Sequence, residues 1–371
     1  MTDTDSAIED IDRLQLDLHK RTLVMAIANG AMGGAQAVGL KILQNIDRDK
    51  WNTISYVSFI DGDMCPKFAA ASDYFFSLTG KRFGGNLKDR DPVKARVISH
   101  LLRTTHIDVL HIINCYPTLK QARDLDNNTR LVVSLYGDYR FDHAFYTDRL
   151  RQLDVLHGMG KNLHLISDSV CNYNLFPPSL LTIIDTAVWD THKGIRPKRD
   201  PKGCVWVGRN GGEKRPSALY DLAEYMSDFN FTMVSNGPVP HRKMPKNLTL
   251  VQTQDARELE RIYKSHTFYL NTSQTEGVPL TLIESMKCGC IPVVPALGGM
   301  PEKVAGIGST ISLIKLRTFC ARDKLAYKRA ILHYYGMSDK DKLALRKAAV
   351  ERMSTHTLDR MMQDTISVYE G

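Results

Sequence analysis

The chain has 371 residues, of which 43% are hydrophobic and 24% are charged. These values are typical of a soluble globular protein, and the length suits two domains better than one. The sequence contains no apolar run of about 18 residues, no apolar core in its acidic N-terminus and only seven scattered cysteines. We therefore expect a cytoplasmic protein without a membrane span, a signal peptide or a disulfide framework, and with at most peripheral membrane contact.

The positive charge is concentrated in the second half of the chain. Residues 1–190 contain 21 Lys and Arg against 23 Asp and Glu, which gives −2. Residues 191–371 contain the remaining 28 against 18, which gives +10 and accounts for the total of +8. A basic half attracts a polyanion or a phosphorylated ligand, so we expect such a ligand to bind there.

In the first half, short apolar runs alternate with helix-like stretches. Residues 22–28 form a predicted strand, and the glycine-rich segment after them leads into a predicted helix. Four further strands are predicted at residues 54–60, 109–113, 131–135 and 163–166. Strands that alternate with helices predict a doubly wound, mainly parallel α/β sheet. We assign residues 1–192 to this first Rossmann-like domain.

The same pattern resumes after a basic segment that lacks periodicity. Residues 193–203 contain Pro, Gly and several Lys and Arg, and are predicted to be a linker. The second Rossmann-like domain is assigned to residues 204–352, with strands at 204–207, 231–234, 248–251, 268–270 and 291–294. Residues 353–371 are predicted to form a C-terminal helix that returns toward the first domain. The predicted architecture is two Rossmann-like domains that face a central cleft.

The segment EGVPLTLIES begins at Glu276 and places a second acid, Glu284, eight positions later. Pro279 suits the first turn of a helix because its missing N–H needs no partner there. Glu276 then lies beside the backbone amides of the helix N-terminus, which favour anionic or hydroxyl-rich ligands. Glu284 could accept hydrogen bonds from a diol such as a ribose. The competing interpretation is a capping acid followed by a solvated helix residue.

Two glycine-rich turns add to this pattern. In VGRNGGEK, Gly208 ends a predicted strand, and Arg209 and Lys214 are spaced to bracket a diphosphate. Near the N-terminus, Gly33 and Gly34 open a helix in the way a phosphate-binding loop does. Their spacing is not that of a G-x-G-x-x-G dinucleotide motif, so a nicotinamide-dependent oxidoreductase is disfavoured.

Five motifs occur in the order and spacing of GT-B glycosyltransferases and resemble the large retaining family 4: GGAQAVGLKIL, VGRNGGEK, SNGP, TSQTEGVPLTLIESMKCGCIPVV and GGMPEKV. The resemblance implies a retaining transferase that needs no cofactor and no obligatory metal. It implies that a nucleotide-diphosphate sugar, UDP-linked or GDP-linked, binds the second domain, and that a hydroxyl acceptor binds the first. The residues that it implies for donor binding are Gly33, Gly34, Gly208, Arg209, Lys214, Glu276, Gly277, Val278, Pro279, Leu280 and Glu284.

One position departs from the family pattern. Many relatives carry a His after the strand matched by residues 131–135, whereas this chain has Tyr136 and, after Gly137, Asp138. We expect Tyr136 or Asp138 to act with Arg209, Lys214 and Glu276 in catalysis, and His143 could also reach the site. His111, by contrast, is predicted to point into the core of the domain.

Several functions remain open at this stage. A glycan, a lipid-linked precursor or another hydroxyl compound could be the acceptor. A sugar-nucleotide epimerase shares the two-domain architecture, although the ordered motifs fit a transferase better. The sequence pI of about 9.0 keeps nucleic acid, including modified DNA bases, as a less favoured partner.

Overall fold

The computed structural model describes residues 3–78, 92–115, 118–136, 143–170, 172, 176–188, 195, 198–235, 242–313 and 319–371. The chain forms two compact units. One unit consists of Met1–Ile184 together with Met361–Gly371, and the other consists of Asp185–Arg360. The second unit is therefore inserted, in sequence, before the last residues of the first.

The first unit is built on a parallel sheet whose strands are almost continuous apolar runs. Such runs form strands that are covered by helices on both faces. The strands are β1 Arg21–Asn29, β2 Trp51–Ile60, β3 Tyr74–Ser77, β4 Val109–Ile113, β5 Arg130–Leu135, β6 Asn162–Ser167 and β7 Leu181–Ile183. Their order is β3-β2-β1-β4-β5-β6-β7. The helices are α1 Asp3–Asp12, α2 Gly34–Asn45, α3 Cys65–Ala71, α4 Pro92–Thr104, α5 Thr118–Gln121 and α6 His143–Gly158, with a 3₁₀ turn at Ala122–Asp124.

The second unit repeats this plan with six parallel strands. They are β8 Asp200–Val207, β9 Asn230–Val234, β10 Leu248–Val251, β11 His266–Leu270, β12 Ile291–Pro295 and β13 Ser309–Ile311, in the order β10-β9-β8-β11-β12-β13. The helices are α7 Pro216–Tyr225, α8 Ala256–Ser265, α9 Leu280–Lys287, α10 Met300–Val304, α11 Ala321–Tyr335 and α12 Asp339–Arg352. The last helix of the chain, α13 Leu358–Glu370, lies mostly in the first unit. One apolar cluster joins the sheet to α7 and α11, and a second joins it to α8, α9, α10 and α12.

The predicted α/β class with two doubly wound parallel sheets is confirmed. Every strand predicted from an apolar run is present, and most extend one to four residues beyond the predicted limits. The short strands β3, β7 and β13 were not predicted, because three or four residues carry too little pattern to distinguish a strand from a loop. Strand β8 begins inside the predicted linker, since Asp200 already pairs with His266 of β11.

The C-terminal helix contributes to the core of the first unit. The hydroxyl of Tyr369, on α13, lies 2.6 Å from Nδ1 of His111, and the rings of Tyr369 and Trp51 are 5.8 Å apart. His111 is fully buried, as the sequence predicted. Tyr369 therefore packs with residues of the first unit, and the two compact units divide at residues 184 and 360.

Within the described ranges, no helix is long and apolar enough to cross a lipid bilayer.

Candidate active site

The candidate site lies in the second unit where the order of strands changes direction. Strands β8 and β11 are neighbours, with Phe268 opposite Cys204, while β9 and β10 lie on one side of this pair and β12 and β13 on the other. In open parallel sheets, ligands bind beyond the carboxyl ends of the strands at such a switch point. Arg209 and Lys214 follow β8, and Glu276 follows β11. The fold thus brings the two motifs to one edge of one sheet.

The turn after β8 carries the two predicted cations in different environments. Gly208 continues the sheet through its N–H, which donates to the carbonyl of Val234 at 3.1 Å. Arg209 is 60% exposed, and its Nη2 lies 3.1 Å from Oε1 of Glu213. Lys214 is only 22% exposed and points to another carboxylate. Arg209 is therefore open to solvent, whereas Lys214 is already held by the protein.

Hydrogen bonds join the basic turn to the loop after β11. The N–H of Gln274 donates to the carbonyl of Glu213 at 2.8 Å, and the Gln274 side chain donates to the carbonyl of Gly212 at 3.0 Å. The hydroxyl of Thr272 donates to the carbonyl of Lys214 at 2.9 Å and accepts from the indole N–H of Trp206 at 2.9 Å. These contacts fix the two loops relative to each other.

Glu276 is the centre of this arrangement. Its carboxylate is 8% exposed, and its Oε1 accepts from Nζ of Lys214 at 2.6 Å, from Oγ of Ser273 at 2.6 Å and from Nδ2 of Asn271 at 3.3 Å. A buried carboxylate needs such partners because removing it from water is costly. The structure therefore brings two predicted site residues, Lys214 and Glu276, into direct contact.

Helix α9 begins immediately after this acid. Pro279 is the residue before the first helical residue, Leu280, and has extended backbone angles (φ −65°, ψ 134°). The carbonyl of Gly277 accepts from the N–H of Gly299 at 3.1 Å. The neighbouring Gly298 has φ +54°, and a side chain there would place its Cβ 2.2 Å from the carbonyl oxygen of Glu276. The double glycine after β12 thus supports the loop that carries Glu276.

The second acid of the motif is also held by a buried group. Glu284 lies on α9 and is buried, so it is not the solvated helix residue of the competing interpretation. Its Oε2 accepts from the hydroxyl of Tyr263 on α8 at 3.1 Å. Burial raises the pKa of Tyr263 well above its ordinary value, and the charge of Glu284 raises it further. Tyr263 therefore remains a hydroxyl donor.

The remaining predicted residues lie elsewhere. Gly33 precedes α2, whose first residue is Gly34, as predicted. Tyr136 follows β5 and is half-buried; burial raises its pKa, and its hydroxyl is hydrogen-bonded to Ser134. Asp138 lies outside the described residues. These positions belong to the first unit, and their contact with a donor stays a prediction. The contact of Val278, in the second unit, with a donor also stays a prediction.

In the ranges that the structure describes, no group of three or more His, Cys, Asp or Glu side chains is arranged to hold a metal ion. Lys214 and Arg209 carry positive charge at the site. A basic turn, a buried carboxylate and the start of a helix could together bind a diphosphate through cations and a hydroxyl-bearing group through the carboxylate.

Sequence reasoning missed the residues that hold the two acids. Ser273 could have been found, because it lies three positions before Glu276 within the same motif. Asn271 follows the last residue of β11 and lies just before the motif, so it carried no signal of its own. Tyr263 gave no signal at all, since its contact with Glu284 depends on how α8 packs beside α9.

Residues 202–336, less than half of the chain, match the family described as glycosyl transferases group 1. This stretch contains most of β8 and all of β9 to β13, and therefore both loops of the candidate site. No curated protein gives a significant match to the sequence.

Solved structures resemble the chain along almost its whole length. HepE of Anabaena, in complex with UDP and glucose, has 15% identity and a TM-score of 0.71, over 94% of this chain and 99% of HepE. Sucrose-phosphate synthase of Thermosynechococcus elongatus has 13% identity and a TM-score of 0.70, over 95% and 98%. The pneumococcal O-GlcNAc transferase GtfA, in complex with UDP and GlcNAc, has 11% identity and a TM-score of 0.66, over 95% and 99%. At such low identity the likeness concerns the fold. Residues 202–336 thus match glycosyl transferases group 1, and the chain has the α/β fold of GT-B glycosyltransferases.

Proposed function

We propose that this protein is a retaining glycosyltransferase that uses a nucleotide-diphosphate sugar as donor. The observation that carries the proposal is the contact between Lys214 and Glu276 at the switch point of the second sheet. It joins a cation suited to a phosphate with an acid suited to sugar hydroxyls, inside the segment that matches glycosyl transferases group 1.

A UDP-sugar is the favoured donor, and a GDP-sugar is the alternative. HepE and GtfA have been solved with UDP and a sugar, which supports uridine for a chain of the same fold. In this proposal Arg209 and Lys214 bind the diphosphate, Glu276 accepts from hydroxyls of the transferred sugar, and Glu284 accepts from the ribose. Gly33 and Gly34 of the first unit approach the phosphates.

The reaction is a displacement on one face of the sugar. The bond between the anomeric carbon and the β-phosphate oxygen breaks, and the acceptor oxygen bonds to the same carbon on the same face. The acceptor proton passes to the departing phosphate. Negative charge grows on this leaving group, and the cations of Arg209 and Lys214 and the amides at the start of α9 stabilise it. These groups supply the positive charge that a metal would otherwise provide, so no metal is proposed.

The proposed acceptor is a hydroxyl of a cell-surface glycan or its precursor, which includes lipid-linked precursors. Transfer to a modified DNA base is the less favoured alternative. Tyr136 and Asp138 are proposed to take the place of the His that many family 4 members carry near the reacting carbon.

A thermal-shift screen with UDP, GDP, ADP and their sugars tests the donor proposal. A ligand present at about 100 times its Kd should stabilise the protein by about 2.7 kcal/mol. The stabilising sugar nucleotide is then incubated with and without glycan acceptors, and the products are analysed for anomeric configuration. Conversion of the sugar nucleotide without any acceptor would instead identify an epimerase. Failure of every nucleotide to stabilise the protein would contradict the proposal.

A further inference from the structure

Each acid of the candidate site is held by a different buried hydroxyl. We propose that Ser273 positions Glu276 for the sugar end of the donor, while Tyr263 independently positions Glu284 for the nucleoside end. This inference rests on the proposed function and adds to it two positioning residues with separable effects.

The geometry at Glu276 leaves one oxygen for the ligand. Three donors, from Lys214, Ser273 and Asn271, converge on Oε1. An ionised carboxylate has about four acceptor sites on its two oxygens, so three donors saturate Oε1. None of the hydrogen bonds among the described residues goes to Oε2. A sugar hydroxyl that binds Glu276 would therefore donate to Oε2, whose direction is set by the donors on Oε1.

Ser273 and Asn271 can orient the Glu276 carboxylate because burial and hydrogen bonds hold both residues in place. Ser273 is 1% exposed, and its N–H donates to Oδ1 of Asn271 at 2.8 Å. The carbonyl of Asn271 in turn accepts from the hydroxyl of the fully buried Tyr327. The hydrogen bond from Ser273 to Glu276 does not involve the diphosphate. Lys214, by contrast, is proposed to contact both Glu276 and the phosphates. Ser273 is thus the contact that remains when Lys214 turns toward a phosphate.

The geometry at Glu284 is simpler. Tyr263 lies on α8, is fully buried and donates to Oε2 of Glu284 at 3.1 Å. The two residues lie 21 positions apart in sequence, so the contact depends on the packing of α8 beside α9. Replacing the tyrosine by phenylalanine would leave the ring in the core and remove only the hydroxyl that orients the carboxylate.

The two hydroxyls should therefore affect different parts of the ligand. UDP contains the nucleoside and the diphosphate but no sugar to transfer, so its binding reports on Glu284 and not on the sugar contact of Glu276. A tenfold change in binding or rate corresponds to about 1.4 kcal/mol, which is of the order expected for the loss of one hydrogen bond.

The experiment compares Ser273→Ala and Tyr263→Phe, with UDP and UDP-glucose as the first probes. For Ser273→Ala we expect the Kd of UDP to stay within about twofold of the wild type, while kcat/KM for the sugar nucleotide falls about tenfold. Ser273→Thr, which keeps a hydroxyl, should recover most of the loss. For Tyr263→Phe we expect the Kd of UDP to rise about tenfold, with a matching fall in kcat/KM.

Two matched control variants each remove a buried hydroxyl that is not hydrogen-bonded to Glu276 or Glu284, and so measure the general effect of losing a buried hydroxyl. Ser285 is fully buried, and its hydroxyl donates to the carbonyl of Leu282 on the same helix. Tyr334 is buried, and its hydroxyl lies 3.1 Å from that of Ser309. Ser285→Ala and Tyr334→Phe should leave both the Kd of UDP and kcat/KM unchanged.

The outcomes separate this inference from the proposed function. If the wild type binds UDP and transfers sugar but both variants lose UDP binding equally, or neither loses anything, the inference is wrong and the proposed function stands. If the wild type binds no sugar nucleotide at all, the proposed function fails, and the inference fails with it.

Discussion

At the residue scale, Lys214 and Glu276 depend on each other. Their side chains meet at 2.6 Å and are largely buried, so each offsets part of the cost of burying the other's charge. Arg209 is different, because it is mostly exposed and pairs with Glu213. The two cations predicted as one diphosphate-binding pair therefore have different partners within the protein.

The different environments of Lys214 and Arg209 predict different effects on stability when each residue is replaced. Lys214→Ala, Arg209→Ala and Glu276→Ala should each lower turnover about 10²–10³-fold, the usual effect of losing one contact to the developing charge or the reacting sugar. Lys214→Ala and Glu276→Ala should also lower stability, because each leaves a buried charge without its partner, whereas Arg209→Ala should not. Steady-state kinetics and chemical denaturation measure the two effects. Near-wild-type turnover in all three variants would show that the site is misplaced.

Titration of His111 supplies a second residue-scale prediction. Burial lowers the pKa of His111 to about 3, from an ordinary value of 6.5. The folded state therefore keeps His111 neutral, while the unfolded state takes up a proton as the pH falls below 6.5. The contribution of neutral His111 to the free energy of unfolding is therefore present in full above pH 6.5 and decreases as the pH falls toward 3. Between pH 8 and pH 5 the loss should be about 2 kcal/mol of unfolding free energy.

The measurement compares the pH dependence of unfolding in the wild type, His111→Gln and His19→Gln. His111→Gln should remove this part of the pH dependence even if it lowers stability at every pH, because it breaks the contacts with Ser134 and Tyr369. The exposed His19 is the control, and its variant should keep the wild-type slope. An unchanged slope in His111→Gln would contradict the assignment.

At the scale of elements, the site is formed by three loops that follow neighbouring parallel strands. The loops after β8 and β11 are joined by hydrogen bonds from Gln274 and Thr272. The turn after β12 lies against the loop of Glu276 through its two glycines. Because the strands are parallel and adjacent, their carboxyl ends bring distant parts of the sequence to one edge.

Gly298 and Gly306 allow a test of this support. Both have positive φ, +54° and +72°, but a Cβ at Gly298 would meet the carbonyl of Glu276, whereas one at Gly306 would meet nothing within 4 Å. Gly306→Ala should cost only backbone strain, about 1 kcal/mol. Gly298→Ala should cost at least about 2 kcal/mol and also weaken nucleotide binding, because it displaces the loop. Chemical denaturation and nucleotide titration provide the two readings, and equal effects would argue against the contact.

At the scale of the whole molecule, the chain returns to its first unit at the end. Tyr369 packs on Trp51 and is hydrogen-bonded to His111, 258 positions earlier. The stability of the first unit should therefore depend on the last helix, although the second unit lies between them in sequence.

Hydrogen exchange can measure this dependence. Tyr369→Ala should lower protection of β1, β4 and β5, since losing a buried aromatic side chain costs about 3 kcal/mol. Protection of β8, β11 and β12 should be unchanged. The control Tyr335→Ala removes a partly exposed tyrosine of the second unit and should leave the first unit intact. Equal loss of protection in both units after Tyr369→Ala would contradict the expectation that the last helix stabilises the first unit alone.

The sequence alone determined the α/β class, the repeated doubly wound pattern and the positions of the site motifs. These features depend on hydrophobic periodicity and turn residues, which act over a few positions and can be read along the chain. It also placed Arg209, Lys214, Glu276 and Glu284 on loops and helix starts, where the structure has them.

Only the tertiary structure decided which atoms meet. Lys214 and Glu276 are 62 positions apart in sequence, and Tyr263 and Glu284 are 21 positions apart. The last helix packs in the first unit through contacts such as that of Tyr369 with His111, 258 positions earlier. Such contacts arise from the strand order and from the packing of helices on the sheet, which local periodicity does not encode. The short edge strands and the saturated oxygen of Glu276 are consequences of that packing, and for this reason they appeared only in three dimensions.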